Sequence, residues 1–129
     1  MKLISFIFIF AIGLVFFSPQ NFVIADENGE IEYLLSFIAG SDCIFIRNNE
    51  EHSAIEARKH LEMKYNHVKK RIKTAEDFIN KIATKSSLTR KLYKVRCAGV
   101  LLSTKLWLED ALAHHRVFLE TQEEKKPVE

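Results

Sequence analysis

The chain predicts a mainly α fold: a small domain of three to four helices carrying one two-stranded antiparallel β ribbon, stapled by a disulfide. Three observations point there. Apolar residues recur at three- and four-residue steps through most of the chain. Gly and Pro are scarce, at 4 and 2 of 129 residues, which suits helices. Two short segments, Cys43–Arg47 and Leu92–Cys97, break the helical period, and each contains one of the two cysteines.

Residues 1–25 stand apart from that domain. Lys2 precedes the apolar run Leu3–Phe17, Ser18-Pro19-Gln20-Asn21 interrupts it, and Val23-Ile24-Ala25 leads into Asp26-Glu27. This is the pattern of a secretory signal peptide cut between Ala25 and Asp26. The rival reading is an uncleaved anchor, but the run falls short of the roughly 20 residues a spanning helix needs. No cysteine follows closely enough to start a lipoprotein.

Residues 26–119 then form a single helical domain with its ribbon. Asp26–Gly40 reads as the first helix, with Ile31, Leu34, Leu35 and Ile38 on one face and Gly40 as its stop. Cys43-Ile44-Phe45-Ile46-Arg47 reads as a strand that Asn48-Asn49 turns off. From Ser53 the helical period resumes through Ala54, Ala57, Leu61, Tyr65, Val68 and Ile72. Thr74-Ala75-Glu76-Asp77 resembles a fresh N-cap with an acid reaching back. The helix therefore either bends near Thr74 or runs unbroken to Ala83. Lys85–Leu88 is a loop and Leu92–Cys97 the second strand, closed by Gly99. Side-chain alternation predicts one register: Cys43 opposite Cys97, Phe45 opposite Val95, Arg47 opposite Tyr93.

Ser103 caps the final helix, unless Leu101 and Leu102 extend it backwards. Its two adjoining stripes, one through Leu108, Ala111, Leu112, His115 and Leu119 and one through Trp107, Ala111, His114 and Phe118, imply packing between other helices. Residues 120–129 are charged and contain a Pro, as in a disordered tail.

Export makes a Cys43–Cys97 bridge the default, with buried thiols or a shared metal as alternatives. No CxxC spacing supports a redox role. The formal net charge of +2, reduced by one when Lys2 leaves with the leader, gives no argument for nucleic acid.

Phe45-x-Arg47-Asn48, His60-Leu61-x-x-Lys64-Tyr65, Ala75-Glu76-x-Phe78-Ile79, Ser86-Ser87, Tyr93 and Trp107-Leu108 follow one another in a distinctive order and spacing. From about Ile31 to Arg116 the chain resembles DUF5329, a family of small exported bacterial proteins of unknown function. The resemblance implies a periplasmic setting and a family pattern that includes Cys43, Arg47, His60, Ser86, Ser87 and Tyr93. It implies no activity. Asn49 and Leu88–Lys91 stand where that pattern has glycine-containing turns.

Arg47, His60, Ser86, Ser87 and Tyr93 are accordingly the candidate binding patch, and no catalytic residue, metal ligand set or cofactor is assigned. The Arg47 fork suits a carboxylate or phosphate, or an ion pair with Glu50, Glu51, Glu56 or Glu76, or the face of Tyr93. His60 shares a helix face with Glu56 and Lys64, either as a hydrogen-bonded structural histidine or as a proton shuttle. Two ligands do not make a zinc site. Lys85-Ser86-Ser87 has no marked base or oxyanion hole, so these hydroxyls suit turn capping better than catalysis. Tyr65, Phe78 and Trp107 sit at core spacing.

Lys69-Lys70-Arg71-x-Lys73 reads first as a solvated face and second as a contact for anionic headgroups. The expected function is a binding or interaction module for an envelope ligand or protein. An envelope-associated structural protein using that basic face is the alternative, and a small hydrolase is the less favoured one.

Overall fold

The computed structural model describes residues 27–126, so the leader, its cleavage site and residues 127–129 lie outside the described part. The element order is α1 (Glu27–Gly40), β1 (Ile44–Arg47), β2 (Glu50–His52), α2 (Ala54–Val68), α3 (Ala75–Asp77), β3 (Lys94–Cys97), β4 (Val100–Ser103) and α4 (Thr104–Glu124). A 3₁₀ turn at Lys69–Arg71 follows α2, and α3 widens into a π-helical turn at Phe78–Ile82.

The expected two-stranded ribbon is incorrect. The sheet has four antiparallel strands in the order β2-β1-β3-β4. Each expected strand folds back on a further one through a two-residue turn. Asn48 and Asn49 lie at φ 51° and 66°, and Ala98 and Gly99 at φ 49° and 78°. Two successive positive φ values mark the type I′ hairpin, whose twist matches that of the strands it joins. Asn tolerates the left-handed region better than most residues, so Asn48 and Asn49 can both occupy their turn.

The central register agrees with the sequence expectation. Phe45 pairs with Val95, Ile44 with Arg96 and Ile46 with Lys94. One residue further out, Cys43 and Cys97 form the disulfide, with Cα atoms 4.7 Å apart. This closes the choice between bridge, free thiols and metal.

The inner face of the sheet packs on the helices. Phe45 and Val95 join Ile31, Leu34, Leu35 and Ile38 of α1, Leu61 and Tyr65 of α2, Phe78, Ile79 and Ile82, and Leu108 and Leu112 of α4 in one core. Tyr65 meets Phe78 edge-on at 5.8 Å, and Trp107 lies between Phe37 and Phe45 at 4.7 and 5.5 Å.

Of the two readings of the long helix, the bend is observed. The 3₁₀ turn ends α2, and Thr74 caps α3 by accepting from the Asp77 backbone N–H. The Asp77 carboxylate reaches back one residue further than a capping box, to the Lys73 N–H. Ser53 and Glu56 do form a full capping box on α2.

Two expectations for α4 also need correction. It runs to Glu124, so residues 120–124 are helical rather than tail. Only its first half is packed on the core: Leu108, Ala111 and Leu112 are buried, while Val117, Phe118 and Leu119 are exposed. A bidentate ion pair closes the α1–α4 seam. Arg116 Nε and Nη2 donate to buried Glu30 at 2.7 and 2.8 Å, and its Nη1 reaches Glu76 at 2.7 Å.

Candidate functional site

Strand pleating aligns polar residues at one end of the inner face. Side chains directly opposite one another share a face. Glu50 lies opposite Arg47. One step beyond the paired residues of β1 and β3, the same register brings Arg47 beside Tyr93. Tyr93 in turn meets Thr104, whose N–H donates to the Tyr93 carbonyl at 3.2 Å. Thr104 is thus both the continuation of β4 and the first residue of α4. Phe45 and His52 form the next row inward. Across from these rows α2 presents Ala57, His60, Leu61 and Lys64, one helical stripe.

Between them lies a cavity of about 150 Å³. Phe45, Ala57 and Leu61 supply its apolar wall, and Arg47, His52, His60, Tyr93 and Thr104 its polar one. No carboxylate among the described residues pairs with Arg47. Glu51 is bound by Arg96, Glu76 by Arg116, and Glu56, although it borders the cavity, by the Ser53 N–H. Arg47 leans on His60 instead, its Nη1 lying 2.8 Å from Nδ1. The ring of Tyr93 is taken by Lys64, whose Nζ stands 4.9 Å from the centroid.

Arg47, His60, Tyr93 and Lys64 form one hydrogen-bonded network. Lys64 donates to the carbonyls of Ile82 and Lys85 and to the Tyr93 hydroxyl, at 2.8, 3.0 and 3.2 Å, which uses all three of its hydrogens. Arg47 Nη1 lies against both ring nitrogens of His60, 2.8 Å from Nδ1 and 3.0 Å from Nε2, and Nε2 is also 3.3 Å from the Tyr93 hydroxyl. The phenol oxygen accepts from Lys64 and lies beside His60 Nε2 at the cavity wall.

Burial, with Arg47 and then Lys64 nearby, lowers the His60 pKa to about 4. Burial and Arg47 lower Lys64 to about 8, and burial raises Tyr93. Two further buried atoms lack any partner, His52 Nε2 and Thr104 Oγ1, and both residues line this cavity.

Of the candidate patch, then, Arg47, His60 and Tyr93 converge. Ser86 and Ser87 do not. Ser86 is buried and its Oγ accepts from the Thr89 N–H, a turn cap. Ser87 is exposed and borders a different groove, beside Met63 and His67. Neither hydroxyl is hydrogen-bonded to a basic side chain among the described residues. Glu56 is turned away from His60 to its capping box, where its Oε2 lies 4.0 Å from His52 Nδ1, so the Glu56–His60 pair does not form. Among the described residues no group of three or more His, Cys, Asp or Glu could hold a metal ion. No helix among them is long and apolar enough to cross a membrane.

His52 and Thr104 were not legible as site residues. Glu50-Glu51-His52 shows no apolar alternation, and Thr104 follows an apolar run that reads as helix. The available signal was the pair of hairpin turns, Asn48-Asn49 and Ala98-Gly99, which fold both residues onto the inner face.

A family model described as a family of unknown function, DUF5329, matches residues 25–116. The chain belongs to this family. It is also 41% identical over 70 residues to the uncharacterized protein YfeK of Salmonella typhimurium strain LT2, a match that covers 54% of this chain and 58% of YfeK. The chain thus spans less than two thirds of that relative. No solved structure matches. The DUF5329 match takes in the disulfide, the four strands and every residue of the cavity, and ends at Arg116, where α4 makes its last contact with Glu30.

Proposed function

We propose that this DUF5329 protein is exported by cleavage between Ala25 and Asp26 and serves in the periplasm as a non-catalytic binding module. The cavity between the sheet and α2 is its site. One observation carries this reading: buried polar atoms that a folded protein ordinarily satisfies, Thr104 Oγ1 and His52 Nε2, are left without partners in the same small cavity. Leaving such a group unsatisfied costs about 1–3 kcal/mol, and a bound ligand would remove that cost.

Native mass spectrometry of the protein from the periplasm of its own host tests the proposal. The expected species starts at Asp26, carries the disulfide, and retains a small non-covalent adduct that Arg47→Gln loses. A species starting at Met1 would overturn the export reading. An adduct-free spectrum, with no small-molecule adduct recovered on reconstitution with a periplasmic extract, would overturn the binding reading.

A second reading has its own support. Lys69, Lys70, Arg71 and Lys73 are all exposed at the end of α2, and none forms an ion pair among the described residues. Such a cluster suits anionic headgroups. Salt-sensitive binding to phosphatidylglycerol vesicles, lost in the Lys69→Glu/Lys70→Glu variant, is the expected result. Absence of binding at low salt ends this reading.

A further inference from the structure

We propose that the ligand of this cavity is a small organic carboxylate, held at its charged end by Arg47, the Tyr93 hydroxyl and Thr104 Oγ1 and at its apolar end by Phe45, Ala57 and Leu61. The inference rests on the cavity being a binding site and adds the chemistry of what fills it.

The sign of the site comes from its donor count. Arg47 brings five N–H donors, and only Nη1 is engaged, on His60. The Tyr93 oxygen accepts from Lys64, which leaves its O–H free to turn from His60 Nε2 to a ligand. Thr104 is 1% exposed and its hydroxyl has no partner. Thr104 also opens the 21-residue α4, whose N-terminal end favours negative charge, and the Ser103 side chain makes no cap there. The one carboxylate bordering the cavity is held by the α2 capping box. Donors outnumber acceptors, and the missing partner is an anion.

Shape chooses among anions. The planar guanidinium fork matches the two oxygens of a carboxylate. The opposite wall is hydrocarbon, which a tetrahedral inorganic ion would leave unfilled and desolvated. A cavity of about 150 Å³ holds a group the size of a benzene ring. The occupant is therefore a monocarboxylate with one short apolar arm or ring.

Titration of the ¹⁵N-labelled protein, residues 26–129, with benzoate, hexanoate, benzamide and inorganic phosphate separates the outcomes. The result expected is that benzoate or hexanoate shifts the amides of Arg47, Tyr93 and Thr104, with benzamide at least about tenfold weaker. Arg47→Gln and Thr104→Val should each weaken the carboxylate at least about tenfold. Thr104→Val is close to isosteric and keeps the test open if Arg47→Gln does not fold.

Equal binding of benzamide would overturn the carboxylate assignment while leaving the cavity a binding site. Phosphate binding with the carboxylates silent would do the same. If no probe moves these amides, the inference fails, whereas the retained adduct sought from the native host judges the binding reading independently.

Discussion

His60 is held neutral by its surroundings on three elements. Arg47 approaches from β1, Lys64 stands one turn along α2, and the Tyr93 hydroxyl closes the far side. A proton added to the ring would sit among cations with its acceptor nitrogen already used by Arg47. This has a consequence for stability. The folded-state pKa of about 4 lies below the ordinary value of 6.5. Between these pH values the unfolded chain holds a proton that the folded chain does not, so stability falls as pH drops from about 6.5 to about 4. The loss amounts to roughly 2 kcal/mol once the solvent reaching the ring is allowed for. Urea midpoints measured from pH 4 to 7 should show this slope in the wild type and a flatter one in His60→Gln. Parallel slopes would mean that His60 is not the group responsible. Lys64, with its pKa lowered to about 8, acts in the alkaline range instead: stability rises as pH climbs from about 8 towards 10.5.

The two hairpins show what a strand pattern conceals at the level of elements. Cys43–Arg47 and Leu92–Cys97 were readable as strands, and their register was readable too, because Phe45 and Val95 must share the buried face. Their edge partners were not. β2 is an exposed-to-intermediate Glu-Glu-His segment with no apolar face to advertise. β4 is Val-Leu-Leu-Ser leading directly into α4, and apolar residues on both faces blur a period of two into a helical one. The candidate site inherits this division: Arg47, His60 and Tyr93 lie on legible elements, whereas His52 and Thr104 depend on the hairpins. Ser86 and Ser87 lie outside the cavity for another reason: Ser86 caps its turn, the role the sequence favoured for these hydroxyls over catalysis, and Ser87 borders a different groove. The α1–α4 seam was likewise hidden, because Glu30 and Arg116 are 86 residues apart. Arg116→Ala strands the buried Glu30 carboxylate and should cost about 2 kcal/mol, less than for a fully buried pair because Arg116 is 41% exposed. Chemical denaturation of Arg116→Ala beside Glu30→Leu/Arg116→Met checks this: the paired apolar replacement should recover most of the loss. A loss below about 0.5 kcal/mol in Arg116→Ala would mark the pair as a surface contact.

For the whole molecule, the disulfide joins the two central strands at the end of the inner face opposite the cavity. Cys43 and Cys97, Phe45 and Val95, and Arg47 and Tyr93 are successive rows of one register, so the covalent row fixes the pairing on which the polar row depends. The bridge closes a sequence separation of 54, which on the chain-entropy model stabilises the fold by about 4 kcal/mol. That is a large share of the roughly 5–15 kcal/mol that holds a domain of this size together. The bridge persists only in an oxidising compartment, so the proposed export and the stability of the fold depend on one another. The Cys43→Ala/Cys97→Ala variant should unfold at a much lower urea midpoint than the oxidised protein, by about 4 kcal/mol in stability. Dithiothreitol should bring the wild type down towards the same curve. Phe45, Val95 and the two hairpin turns still specify the register without the bridge, so where the variant is folded its Arg47, Tyr93 and Thr104 amides should respond to benzoate as in the wild type. A variant that keeps wild-type stability would remove the link between compartment and fold. A folded variant with a silent cavity would show that the bridge, rather than the apolar row beside it, positions the site.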